Sequence, residues 1–171
     1  MKVIAIAAVA KNGVIGNNLE LPWNIPEDMQ FFRDSTREQI VIMGRKTYQA
    51  LKKALPKREN AVITRDLNIS LLDAQVFQSL SGAVENYQAR SELSAKTIFI
   101  IGGAEIYKLS LDLVDEVWLT EIDAEFPGNI FFPDYKNGKF LRKEFQGSEM
   151  KIQCDFKSSP YRYRFIRYAR T

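Results

Sequence analysis

The 171-residue sequence contains no histidine and a single cysteine, Cys154. Without histidine there is no Ser-His-Asp triad, no Cys-His dyad and no His-ligated zinc site. One cysteine excludes an internal disulfide and a four-cysteine metal cluster, and a chain that folds without disulfides suits a reducing compartment. Long apolar runs are missing as well. The stretch Val3–Ala10 is too short to cross a membrane, only Lys2 precedes it as a charge, and Lys11-Asn12-Gly13 ends it without a suitable small-residue cleavage site. The expectation is a mature cytoplasmic chain with no targeting segment. Charge of one sign is scarcely in excess: 24 Lys+Arg against 21 Asp+Glu leave +3. That balance forces neither a nucleic-acid nor a membrane partner. No G-x-G-x-x-G occurs, and neither does a complete P-loop, internal repeat, low-complexity tract or Ser/Gly-rich linker.

What is present is ordinary globular material. Hydrophobic residues make up 46% and charged residues 26%, which excludes a disordered or collagen-like chain. A chain of this length suits one domain and buries roughly two-thirds of its unfolded surface. Val3–Val9 is apolar on both faces, the mark of a central strand. Asn12-Gly13 and Gly16-Asn17-Asn18 predict a mobile loop after it. Pro26 opens a helix, with Glu27 and Asp28 at the favourable end of the dipole and Met29 and Phe32 at helical spacing. Strands are predicted at Gln39–Met43, Asn60–Thr64, Gln75–Phe77, Thr97–Ile101 and Glu116–Ile122, with helices at Arg45–Leu51, Ser81–Ala89 and Ala104–Leu109. Phe140–Phe145, Lys151–Phe156 and Tyr161–Tyr168 then alternate in period two, an antiparallel ending. The expected fold is α/β: a mostly parallel central sheet of about eight strands, an antiparallel C-terminal strand, and helices on both faces.

Ligands of such sheets bind at the carboxyl ends of the strands, so the residues there come first. Gly102-Gly103 allows close backbone approach, and free N–H groups at the following helix start attract phosphate. A tight strand–helix turn is an equal reading of those two glycines alone. Gly44-Arg45-Lys46-Thr47 puts two cations at a helix start, against the dipole unless an anion is bound there. Thr64-Arg65 repeats the hydroxyl-and-cation theme one strand later. Each alone is an ordinary solvated surface feature; together they favour a polyanion such as a nucleotide phosphate. Asp28 lies among Pro22, Trp23, Met29, Phe31 and Phe32, where a carboxylate is costly without a donor-rich partner. On local grounds Arg58 is a surface arginine. Tyr161-Arg162-Tyr163-Arg164-Phe165 interleaves aromatics and cations as a nucleic-acid platform does, yet the same alternation describes a half-buried strand, the preferred reading.

Six segments, in order and covering nearly the whole chain, resemble bacterial dihydrofolate reductase: Val14-Ile15-Gly16, Leu21-Pro22-Trp23-Asn24-Ile25-Pro26-Glu27-Asp28, Val41-Ile42-Met43-Gly44-Arg45-Lys46-Thr47, Ile101-Gly102-Gly103-Ala104-Glu105-Ile106-Tyr107, Leu119-Thr120-Glu121-Ile122-Asp123-Ala124 and Phe132-Pro133. The resemblance implies hydride transfer from NADPH to C6 of 7,8-dihydrofolate, with a proton added at N5. By position it implies that Asp28 binds the pterin 2-amino group and N3, with Thr120 beside it. Ile6, Met29 and Phe32 would pack the ring, with Ala7 nearby. Leu51 and Leu55 would line an aminobenzoyl slot, and Arg58 would clamp the glutamate carboxylate. Ala7, Ala8, Ile15 and Gly16 would meet the carboxamide and ribose side of the nicotinamide. Tyr107 would lie beside it, and Leu21 in the loop that covers it. Ile6 and Ile101 would offer backbone carbonyls. Gly44 and Gly102 would belong to the cofactor-binding set as well. Arg45, Thr64 and Arg65 would hold the adenosine 2′-phosphate. Lys46, Thr47 and the backbone of Gly103, Ala104, Glu105 and Ile106 would meet the pyrophosphate. Asn129 stands where relatives often have an aspartate, and Leu21 where methionine is frequent.

The resemblance further implies a monomer without a metal, open to antifolate inhibitors, with no nucleic-acid or membrane partner. Two rival readings remain at this stage: a reductase of the same fold acting on a riboflavin-pathway pyrimidine, against which the Trp23–Asp28 segment argues, and a non-enzymatic nucleotide-binding domain.

Overall fold

Eight apolar residues of alternating direction, Val3–Ala10, form the central strand β1. The computed structural model of the protein describes residues 1–18, 20–136, 138–145, 151–153 and 161–171. Along the chain follow β2 (Val14–Gly16), α1 (Pro26–Thr36), β3 (Ile40–Gly44), α2 (Arg45–Leu51), β4 (Glu59–Ile63), β5 (Gln75–Phe77), α3 (Leu80–Gln88), β6 (Ile98–Ile100), α4 (Ala104–Ser110), β7 (Glu116–Ile122), β8 (Ile130–Phe131), β9 (Phe140–Glu144), β10 (Lys151–Gln153) and β11 (Tyr161–Arg170). The main sheet runs β10-β11-β7-β1-β6-β3-β4-β5, with β9 also paired to β11. Strands β7, β1, β6, β3, β4 and β5 are parallel, and β11 is antiparallel to β7. β9 and β10 share one edge of β11, pairing near Ile166 and Tyr163 respectively. Nine strands therefore occupy eight positions, and the ending is antiparallel as the period-two pattern predicts.

Alternation along β1 divides the core. Val3, Ala5 and Val9 pack with Tyr87 of α3 and Ile106 and Tyr107 of α4, whereas Ile4 and Ile6 face the opposite layer with Phe31 and Phe32 of α1 and Tyr48 of α2. Pro26 pre-sets the first turn of α1, and the helix ends at a buried Thr36 whose hydroxyl donates to Phe32 O at 2.8 Å. Ser79 caps α3 by accepting from Gly82 N.

The stretch after β1 is not merely a loop. β2 pairs antiparallel with β8, a small separate sheet. Three residues are too few for period two to register, and their partner lies far along the chain. Elsewhere element ends shift by a residue or two. The strand predicted at Asn60–Thr64 is Glu59–Ile63, Thr97–Ile101 shortens to Ile98–Ile100, and Tyr161–Tyr168 continues to Arg170. Of the extended terminal hairpin expected over Gly138–Ser159, residues 146–150 and 154–159 lie outside the described residues, Cys154 and Phe156 among them. In β11, Tyr163 is buried, Arg164 donates to Glu121 at 3.1 Å, and Arg167 lies 3.8 Å from Glu116. That is the half-buried strand rather than an aromatic platform. No helix among the described residues is long and apolar enough to cross a membrane.

Candidate active site

The carboxyl ends of β3 and β6 meet where Gly44 N–H donates to Gly102 O at 2.7 Å. The Gly102–Gly103 peptide is cis. Gly102 has φ +116°, and a Cβ there would approach the Tyr107 ring at 3.2 Å; one on Gly44 would approach Ile106 at 3.0 Å. Side chains at either position would displace the α4 residues that form the wall of a cleft of about 1120 Å³. Every residue expected at the cofactor lines that cleft: Ala7, Ala8, Ile15 and Gly16 on one side, 44–47 and Thr64 and Arg65 on another, and 101–107 between them, with Leu21 half-exposed at the rim.

The polar set on this wall suits a polyanion. Arg45, Lys46 and Arg65 bring three cations, and Thr47 and Thr64 bring hydroxyls. Arg45 faces Asp66 at 3.8 Å, a solvent-exposed pair of little worth. Among the described residues Lys46 and Arg65 form no ion pair. Over the opposite rim lies the β2–β8 cover, latched by a reciprocal pair. Asn18 N–H donates to Asn129 Oδ1 at 2.8 Å, and Asn129 Nδ2 donates to Asn18 Oδ1 at 3.1 Å. Residue 18 has φ +55°, a conformation asparagine tolerates.

Asp28 stands beyond the cleft lining, on the first turn of α1, and is only 8% exposed. The Thr120 hydroxyl donates to its Oδ1 at 2.6 Å, and among the described residues Oδ2 accepts nothing. Burial pushes its pKa above the usual carboxylate value, and the Thr120 hydrogen bond opposes that rise. Tyr107 joins the two regions. It lines the cleft, its hydroxyl donates to Ile6 O at 2.7 Å, and burial and then the charge of Asp28 raise its pKa. One lone pair of that carbonyl is therefore already engaged. Nearby in sequence, Trp23 Nε1 is a buried donor without a partner among the described residues, a demand that a bound acceptor would meet.

Ile6, Phe32, Leu55 and Ile101 belong to one apolar cluster. Met29 and Leu51 do not join it; each is 38% exposed, an open apolar flank rather than a closed pocket. Arg58 is more constrained than a surface arginine. Its Nε donates to Thr36 Oγ1 at 2.9 Å, Nη1 to Pro56 O at 2.7 Å and Nη2 to Arg33 O at 3.1 Å. Among the described residues one N–H on each terminal nitrogen has no acceptor. Desolvation, then Arg37 and Arg33, lower its pKa, so the group is short of negative charge. None of Ile6, Asp28, Met29, Phe32, Leu51, Leu55, Arg58 or Thr120 lines the main cleft; Tyr107, through Ile6 and Asp28, is the link.

Asn18, Gln49, Asp66, Ile130 and Phe131 also line the cleft and were not singled out by sequence. The β-branched pair Val14-Ile15 and the run Ile130-Phe131-Phe132 were the available signal for the cover. Among the described residues no group of three or more Cys, Asp or Glu is placed to hold a metal ion.

A family model described as dihydrofolate reductase matches residues 2–170. The dihydrofolate reductase of Buchnera aphidicola from Acyrthosiphon pisum is 37% identical over 166 residues, covering 96% of this chain and 97% of that protein. The Neisseria meningitidis dihydrofolate reductase is 36% identical over 171 residues, 99% of each. In fold, the Enterococcus faecalis dihydrofolate reductase complexed with NADP(H) and RAB-propyl superposes with a TM-score of 0.85 at 23% identity, covering 99% of this chain and 96% of that one. With the match running almost from end to end, the chain belongs to the dihydrofolate reductase family.

Proposed function

We propose that the cationic cleft holds NADPH, that the Asp28–Thr120 side holds the pterin of 7,8-dihydrofolate, and that Tyr107 stands at their junction. The reaction is reduction of 7,8-dihydrofolate to 5,6,7,8-tetrahydrofolate, and NADPH when bound supplies the hydride that reaches C6. The donor set fits that cofactor. Arg45, Thr64 and Arg65 are a recognition site for a ribose phosphate, and Lys46, Thr47 and the 103–106 backbone for a pyrophosphate.

The chain's own residues then do the following. Asp28, held by Thr120, offers Oδ2 and the rest of its carboxylate to the 2-amino group and N3 of the pterin. Its negative charge, acting through a buried site where the field is little screened, favours the protonated substrate. Asp28 thus orients and polarises the ring, and the proton reaches N5 from water. Phe32, Leu55 and Ile6 exclude solvent from the ring face and the aminobenzoyl slot. The two free N–H groups of Arg58 suit a carboxylate bidentately. The β2–β8 cover with Leu21 shields the cofactor side.

The observation that carries this reading is a buried carboxylate fixed by one hydroxyl beside a cleft lined by three cations. We further propose a cytoplasmic monomer with no nucleic-acid or membrane partner, open to antifolates that mimic the pterin. Loss of NADPH absorbance that requires dihydrofolate tests the function. Loss with a riboflavin-pathway pyrimidine instead, or binding without turnover, refutes it.

A further inference from the structure

Residues 128–135 form an arm that reaches from the cover to the back of the sheet. At its start a Cβ on Gly128 would approach Val14 Cγ1 at 2.4 Å and Gly16 O at 2.6 Å. In its middle β8 pairs with β2, and Phe132 N–H donates to Gly13 O at 3.0 Å. The Phe132 ring packs on Tyr107 with centroids 4.9 Å apart. Beyond it the rings continue, Phe132 to Tyr135 at 5.7 Å and Tyr135 to Tyr168 at 4.8 Å, both edge-on. This aromatic line ends in a charge. The Tyr168 hydroxyl donates to Glu121 Oε1, and Arg164 Nε donates to Glu121 Oε2 at 3.1 Å. The active-site reading uses none of Glu121, Tyr135, Arg164 or Tyr168.

We infer that Glu121, Tyr168 and Tyr135 are positioning residues for the cofactor site: they anchor the far end of the arm, set Phe132 against Tyr107, and so hold the β2–β8 cover over the cleft. The chain of contact is continuous. Glu121 fixes the Tyr168 hydroxyl, Tyr168 backs the Tyr135 ring, Tyr135 backs Phe132, and Phe132 meets both Tyr107 and the backbone of the cover. A hydrogen bond to a carboxylate is among the stronger ones available, and this one lies at the root of the segment, where the short β2–β8 pairing does not reach. Thr120 and Glu121 are adjacent in β7 and point to opposite faces. The same strand therefore steadies Asp28 on one side and the arm on the other.

The inference rests on the cleft being the NADPH site, and the test separates the two. In Tyr168→Phe the ring stays and the anchor hydroxyl is lost. NADPH should bind about five- to tenfold more weakly, the low end of ordinary coupling between sites, while KM for dihydrofolate changes less than about twofold. Without any ligand, the backbone amides of Phe132 and Asn18 should exchange hydrogen faster than in the wild type. Arg164→Met removes the other partner of the same carboxylate and should leave both readouts unchanged. Phe132→Leu added to Tyr168→Phe should cost less than the sum of the two alone, because both loosen one arm. Unaltered exchange at Phe132 and Asn18 in Tyr168→Phe overturns the inference, as does strict additivity. A wild-type protein that fails to bind NADPH overturns the reading of the cleft instead and leaves the exchange experiment to decide the anchor.

Discussion

Replacing Asp28 by asparagine should stabilise the protein and cripple the reaction, and the structure sets both magnitudes. Asparagine keeps the shape and still accepts from Thr120 across the present 2.6 Å contact, but it cannot be an anion. Two charge-assisted hydrogen bonds to the pterin, each worth about 1.5–3 kcal/mol, become a neutral bond and a clash of donors, a net loss of about 3–5 kcal/mol. At about 1.4 kcal/mol per decade, kcat/KM falls about a hundred- to five-thousandfold. NADPH affinity stays near wild type, because the phosphate contacts lie elsewhere in the cleft. Part of the rate should return on acidification, since solvent then protonates more of the substrate. For stability, burial holds the Asp28 pKa above its usual 3.8, so the folded state binds this proton more tightly than the unfolded chain. The stability linked to that proton is complete below pH 3.8 and is lost as pH rises through the raised folded value. Asparagine never loses it. The difference in Tm, variant minus wild type, should therefore grow from acid to neutral pH, by about 2–4 °C per kcal/mol for a chain of this size. Single-turnover hydride transfer from about pH 5 to 8, bracketing weakly basic ring nitrogens, with melting curves from below pH 3.8 to neutral, makes the check. Wild-type rates throughout would remove Asp28 from the chemistry. A Tm difference that ignores pH would mean that burial of its charge costs nothing.

Other outcomes are expected. Arg58→Ala should weaken dihydrofolate but spare a pterin without the glutamate tail; it should also lower Tm, since three hydrogen bonds go with it, and equal losses for both substrates would reduce its role to folding. Arg45→Ala should raise KM for NADPH far more than for NADH, and steady-state kinetics showing parallel losses would refute the 2′-phosphate assignment. Asp66→Asn removes the anion 3.8 Å from Arg45 and should tighten NADPH about two- to fivefold, the worth of a screened charge at that range; weaker binding in titrations would contradict it. Tyr107→Phe strips the Ile6 carbonyl of its buried donor and should cost about 1–3 kcal/mol in denaturant unfolding, whereas an unchanged midpoint would mean that the carbonyl finds another partner.

The cleft wall was legible because strand ends announce themselves. Gly44-Arg45, Thr64-Arg65 and Gly102-Gly103 each close a run of apolar residues, and a parallel sheet carries such ends to one edge. Asp28 was legible as an acid out of place among aromatics. What sequence could not supply is pairing across the chain. Thr120 is 92 residues from Asp28, and Ile6 is 101 from Tyr107; nothing local at either end signals the partner. The cover failed for a different reason. β2 and β8 are three and two residues long, and each is held by the other more than by its own propensity, so turn chemistry alone read as a mobile loop. Arg58 was undervalued because its three acceptors are backbone or hydroxyl oxygens brought by α1 and the 56–58 turn.

The latch between Asn18 and Asn129 has a consequence for how this enzyme can be interrogated. Both partners are amides, and neither gains or loses a proton anywhere in the working range. A carboxylate in that place would let go in acid and would feel dissolved ions. In this one there is no charge for acid to remove or salt to screen. On the proposed assignment, acidity acts on the reaction through Asp28 and the pterin, while salt acts where Arg45, Lys46 and Arg65 line the cleft and are open to screening. Any dependence of the cover on pH or salt is then traced to its carboxylate anchor at Glu121 and not to this latch.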